Sequence, residues 1–119
     1  MKKIIIVDDD EDMRTGIASI LKMNGFAVIE ADNGMDALDM ISAQKPDLII
    51  SDVTMPNMNG FMLREALKSD PETVKIPMIM ISGYAKDAGA WGTDSGIDYL
   101  SKPFSFDELM AVVVQRLIK

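Results

Sequence analysis

The chain has 119 residues, 48% of them apolar and 26% charged, with 5 prolines, the make-up of one folded domain rather than a disordered chain. It contains no cysteine and no histidine. That excludes disulfides, thiol nucleophiles, zinc-thiolate sites and a Ser-His-Asp triad, and leaves only oxygen ligands for a metal. The 19 Asp and Glu against 12 Lys and Arg give a net charge of -7, which repels a phosphate backbone and argues against direct nucleic-acid binding.

Lys3 to Val7 reads as the first strand. Its apolar run is too short for a signal peptide, and no stretch approaches the roughly 18 apolar residues of a membrane span. The expected location is the cytoplasm, alone or as part of something larger, with no membrane partner. Met13, Ile17, Ile20, Leu21 and Asn24 then recur at helical spacing until Asn24-Gly25 supplies a stop. Phe26 to Glu30 reads as the second strand, and a helix over Asn33 to Ala43 packs through Ala37, Leu38 and Ile41. Asp47 to Ser51 is the third strand, followed by a helix over Asn59 to Lys68 that packs through Met62, Leu63, Ala66 and Leu67. Ile76 to Ile81 and Ile97 to Ser101 are the fourth and fifth strands.

Between those last two, Gly83, Gly89, Gly92 and Gly96 interrupt the place of a fourth helix, and each interior Gly costs about 1 kcal/mol relative to Ala. A short or irregular helix is expected there, and a mobile Tyr84 to Gly96 segment. Trp91 either packs on the domain's own edge or anchors a partner. Ser105 opens the final helix, with Glu108 three residues on in a capping-box pattern, and Leu109, Val112, Val113 and Leu117 continue it. The 11 methionines fall on helix faces or beside strands, as gap-filling core residues do.

Strands one, three and four lack alternation, as strands covered on both faces do. Five β units alternating with helices predict an α/β fold over residues 1–119 as a single domain. Its sheet would be doubly wound, five-stranded and parallel, with right-handed crossovers. Ligands bind such sheets outside the carboxyl ends of the strands. Asp8, Asp9, Asp10, Glu11 and Asp12 follow the first strand, Asp52 the third, Ser82 and Gly83 the fourth, and Lys102 and Pro103 the fifth. Carboxylates, a hydroxyl and an ammonium therefore converge on one edge.

Asp10, Glu11 and Asp12 suit the start of a helix, as caps and dipole partners. Asp8 and Asp9 directly follow an apolar strand and should be half-buried beside Asp52. Like charges so placed raise one another's pKa, and a hard, oxygen-ligated cation relieves them: magnesium, or manganese in its stead. Asp52 could attack phosphorus as a carboxylate nucleophile, with Lys102 neutralising charge on the equatorial oxygens and Ser82 hydrogen-bonding one of them.

Val7-Asp8-Asp9, Ser51-Asp52-Val53-Thr54-Met55-Pro56 with Gly60, and Ser101-Lys102-Pro103-Phe104 together resemble the receiver domain of two-component response regulators over essentially the whole chain. The resemblance implies a flavodoxin-like strand order 2-1-3-4-5. Asp52 would be the phosphoacceptor, and Asp8, Asp9, Asp52 and the Thr54 backbone carbonyl would hold magnesium. Lys102 would be the salt-bridge partner, Ser82 the switch hydroxyl, Tyr99 the aromatic rotamer switch, and Lys102-Pro103 a cis peptide. The phosphoryl donor would be a histidine kinase or phosphotransfer protein, and output would pass by contact with a downstream protein. Such a domain is a signalling receiver, catalysing only its own phosphorylation and dephosphorylation. Thr54 and Tyr84, two residues beyond Asp52 and Ser82, would border the path of the hydrolytic water and prolong the phosphoryl lifetime. Ser82-Gly83-Tyr84 resembles the wording of receivers attached to hybrid sensor kinases. A second reading is a small magnesium-dependent aspartyl-phosphate hydrolase resembling the haloacid dehalogenases, because Asp8-x-Asp10 follows the first strand and Ser82 and Lys102 come in the right order. Against it, no acidic pair follows another strand after Lys102, and 119 residues leave no cap to define a substrate.

Overall fold

The computed structural model describes residues 1–83 and 96–118. The expected fourth helix, the setting of Trp91, the position of Tyr84 and all but the last residue of the Tyr84 to Gly96 segment lie outside the described residues. In chain order the elements are β1 (Lys3–Val7), α1 (Glu11–Met23), β2 (Ala27–Ala31), α2 (Gly34–Gln44), β3 (Leu48–Asp52), α3 (Gly60–Lys68), β4 (Met78–Ser82), β5 (Ile97–Ser101) and α4 (Phe106–Ile118). The strands form one parallel sheet in the order β2-β1-β3-β4-β5.

Strand alternation divides the core in two. Ile5, Val7, Ile49, Met78 and Met80 face α2 and α3, where Ala37, Ile41, Leu63 and Leu67 meet them. Ile4, Ile6, Leu48, Ile50, Ile79 and Ile81 face α1 and α4, against Ile17, Ala18, Leu21, Leu109 and Val113. Because β1, β3 and β4 are covered on both faces, their residues are apolar without alternation. The edge strand β2 is half-buried apart from Ala31.

The helix starts follow their caps. Asp10 caps α1, its side chain accepting from the N–H groups of Asp12 and Met13, and Asn33 and Asn59 cap α2 and α3. At α4 the box closes both ways: Ser105 N–H donates to Glu108 Oε1 and Glu108 N–H donates to Ser105 Oγ, each at 3.1 Å. Gly25, at φ +89°, reverses the chain after α1.

Several details differ from the sequence reading, beginning with β2 and β3, which each run one residue later than predicted. β4 begins at Met78 rather than Ile76, because Pro77 has no N–H for a ladder and contributes only its carbonyl, to Ile49 N–H at 3.0 Å. α3 buries Gly60, Leu63, Arg64 and Leu67, a clean i, i+3, i+4, i+7 stripe, and Met62 is exposed. The methionines divide: Met55, Met78 and Met80 are buried, Met13, Met40, Met58 and Met110 pack against the core, and Met1, Met23, Met35 and Met62 are exposed. Among the described residues no helix is long and apolar enough to cross a membrane.

Candidate functional site

The carboxyl ends of β1, β3, β4 and β5 bring the chemistry-bearing residues together. Asp8 follows β1 by one residue, and its N–H still pairs with Ala31 O at 3.1 Å, so the ladder continues to the last main-chain atom before the turn. Its Oδ1 accepts from Asp10 N–H at 2.9 Å. Its Oδ2 is buried and has no hydrogen-bond partner among the described residues. Asp52 is itself the final residue of β3, opposite Ile81 of β4, one position beyond the predicted strand end. Val53 N–H donates to Ile81 O at 3.0 Å and Gly60 N–H donates back to Val53 O at 2.9 Å, which folds the loop onto the strand end.

Carboxylate oxygens of Asp8, Asp9 and Asp52 lie within 4.8 Å of one another. Asp8 and Asp52 are buried, but Asp9 is exposed. The half-burial expected for Asp9 fails because the chain turns into α1 as soon as Asp8 leaves the ladder. Lys102 Nζ donates to Asp52 Oδ2 at 3.1 Å, while Thr54 N–H approaches Asp52 Oδ1 at 3.4 Å. Lys102 N–H is held by Ser82 O at 2.8 Å, and the Lys102-Pro103 peptide is cis. Ser82 is buried at the end of β4, opposite Ser101. Tyr99, opposite Met80, packs half-buried on the α2 and α3 side of the sheet. Thr54 is exposed beside the site, and Tyr84 lies outside the described residues.

Burial pushes the Asp8 carboxyl above the ordinary aspartate range; the Asp10 N–H opposes this, Asp52 adds to it, Lys102 opposes it and Asp9 adds to it. A buried, orphaned carboxylate oxygen facing two further carboxylates is a donor set for a hard divalent cation, and the all-oxygen chemistry fits magnesium. Sequence reasoning named Gly60 only as part of the Asp52 loop motif and missed Arg14 altogether. Gly60 allows α3 to start against the strand end, since a Cβ there would lie 2.8 Å from Asp52 O. Arg14 donates from Nη1 to Asp8 O at 2.9 Å. A Gly after Asn at a helix start is a visible signal of close approach, whereas nothing in the sequence marks Arg14.

Residues 4–114 match the response regulator receiver domain family. The chain belongs to that family. Receivers similar to it include the protein PilH of Pseudomonas aeruginosa, 33% identical over 115 residues covering 95% of both chains. The phosphate regulon transcriptional regulatory protein PhoB of the same organism is 42% identical over 112 residues, 92% of this chain and 49% of PhoB. This chain thus spans nearly all of PilH and about half of PhoB. Among solved structures, the chemotaxis response regulator CheY4 of Vibrio cholerae superposes with a TM-score of 0.89 at 28% identity, over 98% of this chain and 99% of that one. The family match decides between the two sequence readings in favour of a two-component receiver over the hydrolase. Receivers of this family interact with histidine kinases and downstream targets.

Proposed function

We propose that the domain accepts a phosphoryl group on Asp52 from a phosphohistidine of a histidine kinase or phosphotransfer protein. The observation that carries this reading is the Asp52 carboxylate, fixed at a strand tip with one oxygen 3.1 Å from the Lys102 ammonium and the pair of Asp8 and Asp9 beside it. A carboxylate oxygen attacks phosphorus, the P–N bond to the donor imidazole breaks, and the imidazole leaves as its nitrogen regains the electron pair and takes up a proton. The product is an aspartyl phosphate. Asp8, Asp9 and Asp52, with the Thr54 backbone carbonyl, would hold magnesium, which supplies neutralisation of the charge on the phosphoryl oxygens. Lys102 follows the transferred charge from the carboxylate to a phosphoryl oxygen. Ser82 donates its hydroxyl to another, and Tyr99 responds to that movement. Lys102 already lies within hydrogen-bond distance of Asp52, and such preorganisation would lower the barrier.

Beside Lys102, a recess of about 430 Å³ is lined by Met13, Pro103, Phe104 and Phe106. Its apolar character, with Phe106 47% exposed, supports docking of the phosphodonor protein next to the reacting carboxylate. Output then passes by protein contact, in the cytoplasm.

The test is incubation with acetyl phosphate and magnesium, followed by intact mass. The expected result is a gain of one hydroxylamine-sensitive phosphoryl group in the wild type and none in Asp52→Asn, whose near-isosteric amide leaves the fold intact. Full labelling of Asp52→Asn would move the acceptor elsewhere, and continuous turnover of phosphate esters would restore the hydrolase.

A further inference from the structure

Arg14, in the first turn of α1, holds the acidic site from behind. Both edges of its guanidinium are engaged: Nη1 donates to the main-chain oxygen of Asp8 at 2.9 Å, and Nε donates to Glu30 Oε1 of β2 at 3.1 Å. The side chain is only 16% exposed. Asp8 is thereby tied to the edge strand twice, once by its own N–H to Ala31 O and once through Arg14 and Glu30. The tie opposes a definite force. Asp8, Asp9 and Asp52 carry like charges within 4.8 Å, and the short turn from Asp8 to Asp10 could relieve them by moving outward. Such a move would open the spacing that a magnesium ion, with its near-octahedral demands, requires.

The guanidinium acts through position and not as a counter-charge. It meets the main-chain oxygen of Asp8 rather than a carboxylate oxygen of the site, and the charges that shift the Asp8 carboxyl belong to Asp52, Lys102 and Asp9. We propose that Arg14, clamped by Glu30, is a positioning residue that sets magnesium affinity by fixing the Asp8 main chain. The proposal rests on the magnesium reading of the acidic site given above.

Titration of the full chain with magnesium chloride by calorimetry and by backbone amide shifts tests it, with Asp9→Ala as the reference for a lost ligand. Arg14→Ala should raise the magnesium Kd by about tenfold, the scale on which partners of metal ligands act. Arg14→Lys should fail to restore it, because a lysine keeps the charge but cannot span two acceptors as a planar fork does. Glu30→Gln guards against misfolding of the Arg14 variants. It should weaken binding by a smaller factor in the wild type and add nothing in the Arg14→Ala background. A folded Arg14→Ala with a Kd within about twofold of wild type, full rescue by Arg14→Lys, or a Glu30→Gln effect that survives in Arg14→Ala would each overturn the positioning role. Absence of magnesium binding in the wild type would instead overturn the metal site itself.

Discussion

Asp8 carries the sharpest electrostatic consequence of the site, since its carboxyl is held above the ordinary aspartate range by burial while Oδ2 has no hydrogen-bond partner among the described residues. A folded pKa above the unfolded one means that ionising Asp8 works against folding. The cost is absent below the unfolded value near about 3.9, grows as pH rises through it, and is complete above the raised folded value. In metal-free solution Asp8→Asn should therefore be more stable than wild type at neutral pH, because the amide leaves no charge to bury. The advantage should shrink on acidification and vanish near pH ~4. Urea denaturation with a chelator at a series of pH values measures this, and a gain independent of pH would show that the charge is not its cause. Asp8, Asp52 and Lys102 could be located from sequence because each directly follows a predicted strand, which places it at a strand tip whatever the rest of the chain does. Arg14 could not, because its partner is a main-chain carbonyl whose position is known only once the turn after β1 is built.

The elements around the site obey local rules with one tight exception. Asp10, Asn33, Asn59 and Ser105 all act as helix caps, and these starts were legible because a cap is a contact between residues two or three apart. Strand limits were less so: whether Asp52 belongs to β3 depends on the partner it meets in β4, a residue far away in sequence. The exception is the start of α3. A Cβ on Gly60 would stand 2.8 Å from Asp52 O, 2.9 Å from Met80 Sδ and 3.2 Å from Val53 Cα. The methionine sulfur can yield, but the backbone of β3 cannot without moving Asp52. Gly60→Ala should cost about 1–3 kcal/mol, as overpacking does, and should also slow labelling by acetyl phosphate. Comparison of the urea midpoint with the labelling rate checks both; an alanine variant as stable and as reactive as wild type would mean that α3 does not press on the strand end.

At the scale of the whole molecule, the parallel five-stranded architecture was legible from periodicity and element order, and its strand order from the resemblance. Parallel strands need crossovers, and alternating short apolar runs with amphipathic segments leaves few other arrangements. What periodicity could not give was the pairing of helices with faces, which depends on where each crossover lands. That pairing makes the sheet a partition. The buried side chains against α2 and α3 and those against α1 and α4 form separate sets, with the backbone of the sheet between them. Energetic bookkeeping on the two sides should then be independent. Ile17→Val lies on one side and Ile41→Val on the other, each costing about 1 kcal/mol. The double variant should lose their sum to within about 0.5 kcal/mol. Side chains at the carboxyl rim, where the partition ends and Asp52 meets Lys102, have no such separation, so their substitutions should be strongly non-additive. The interior can therefore vary one half at a time, while the rim can change only as a set.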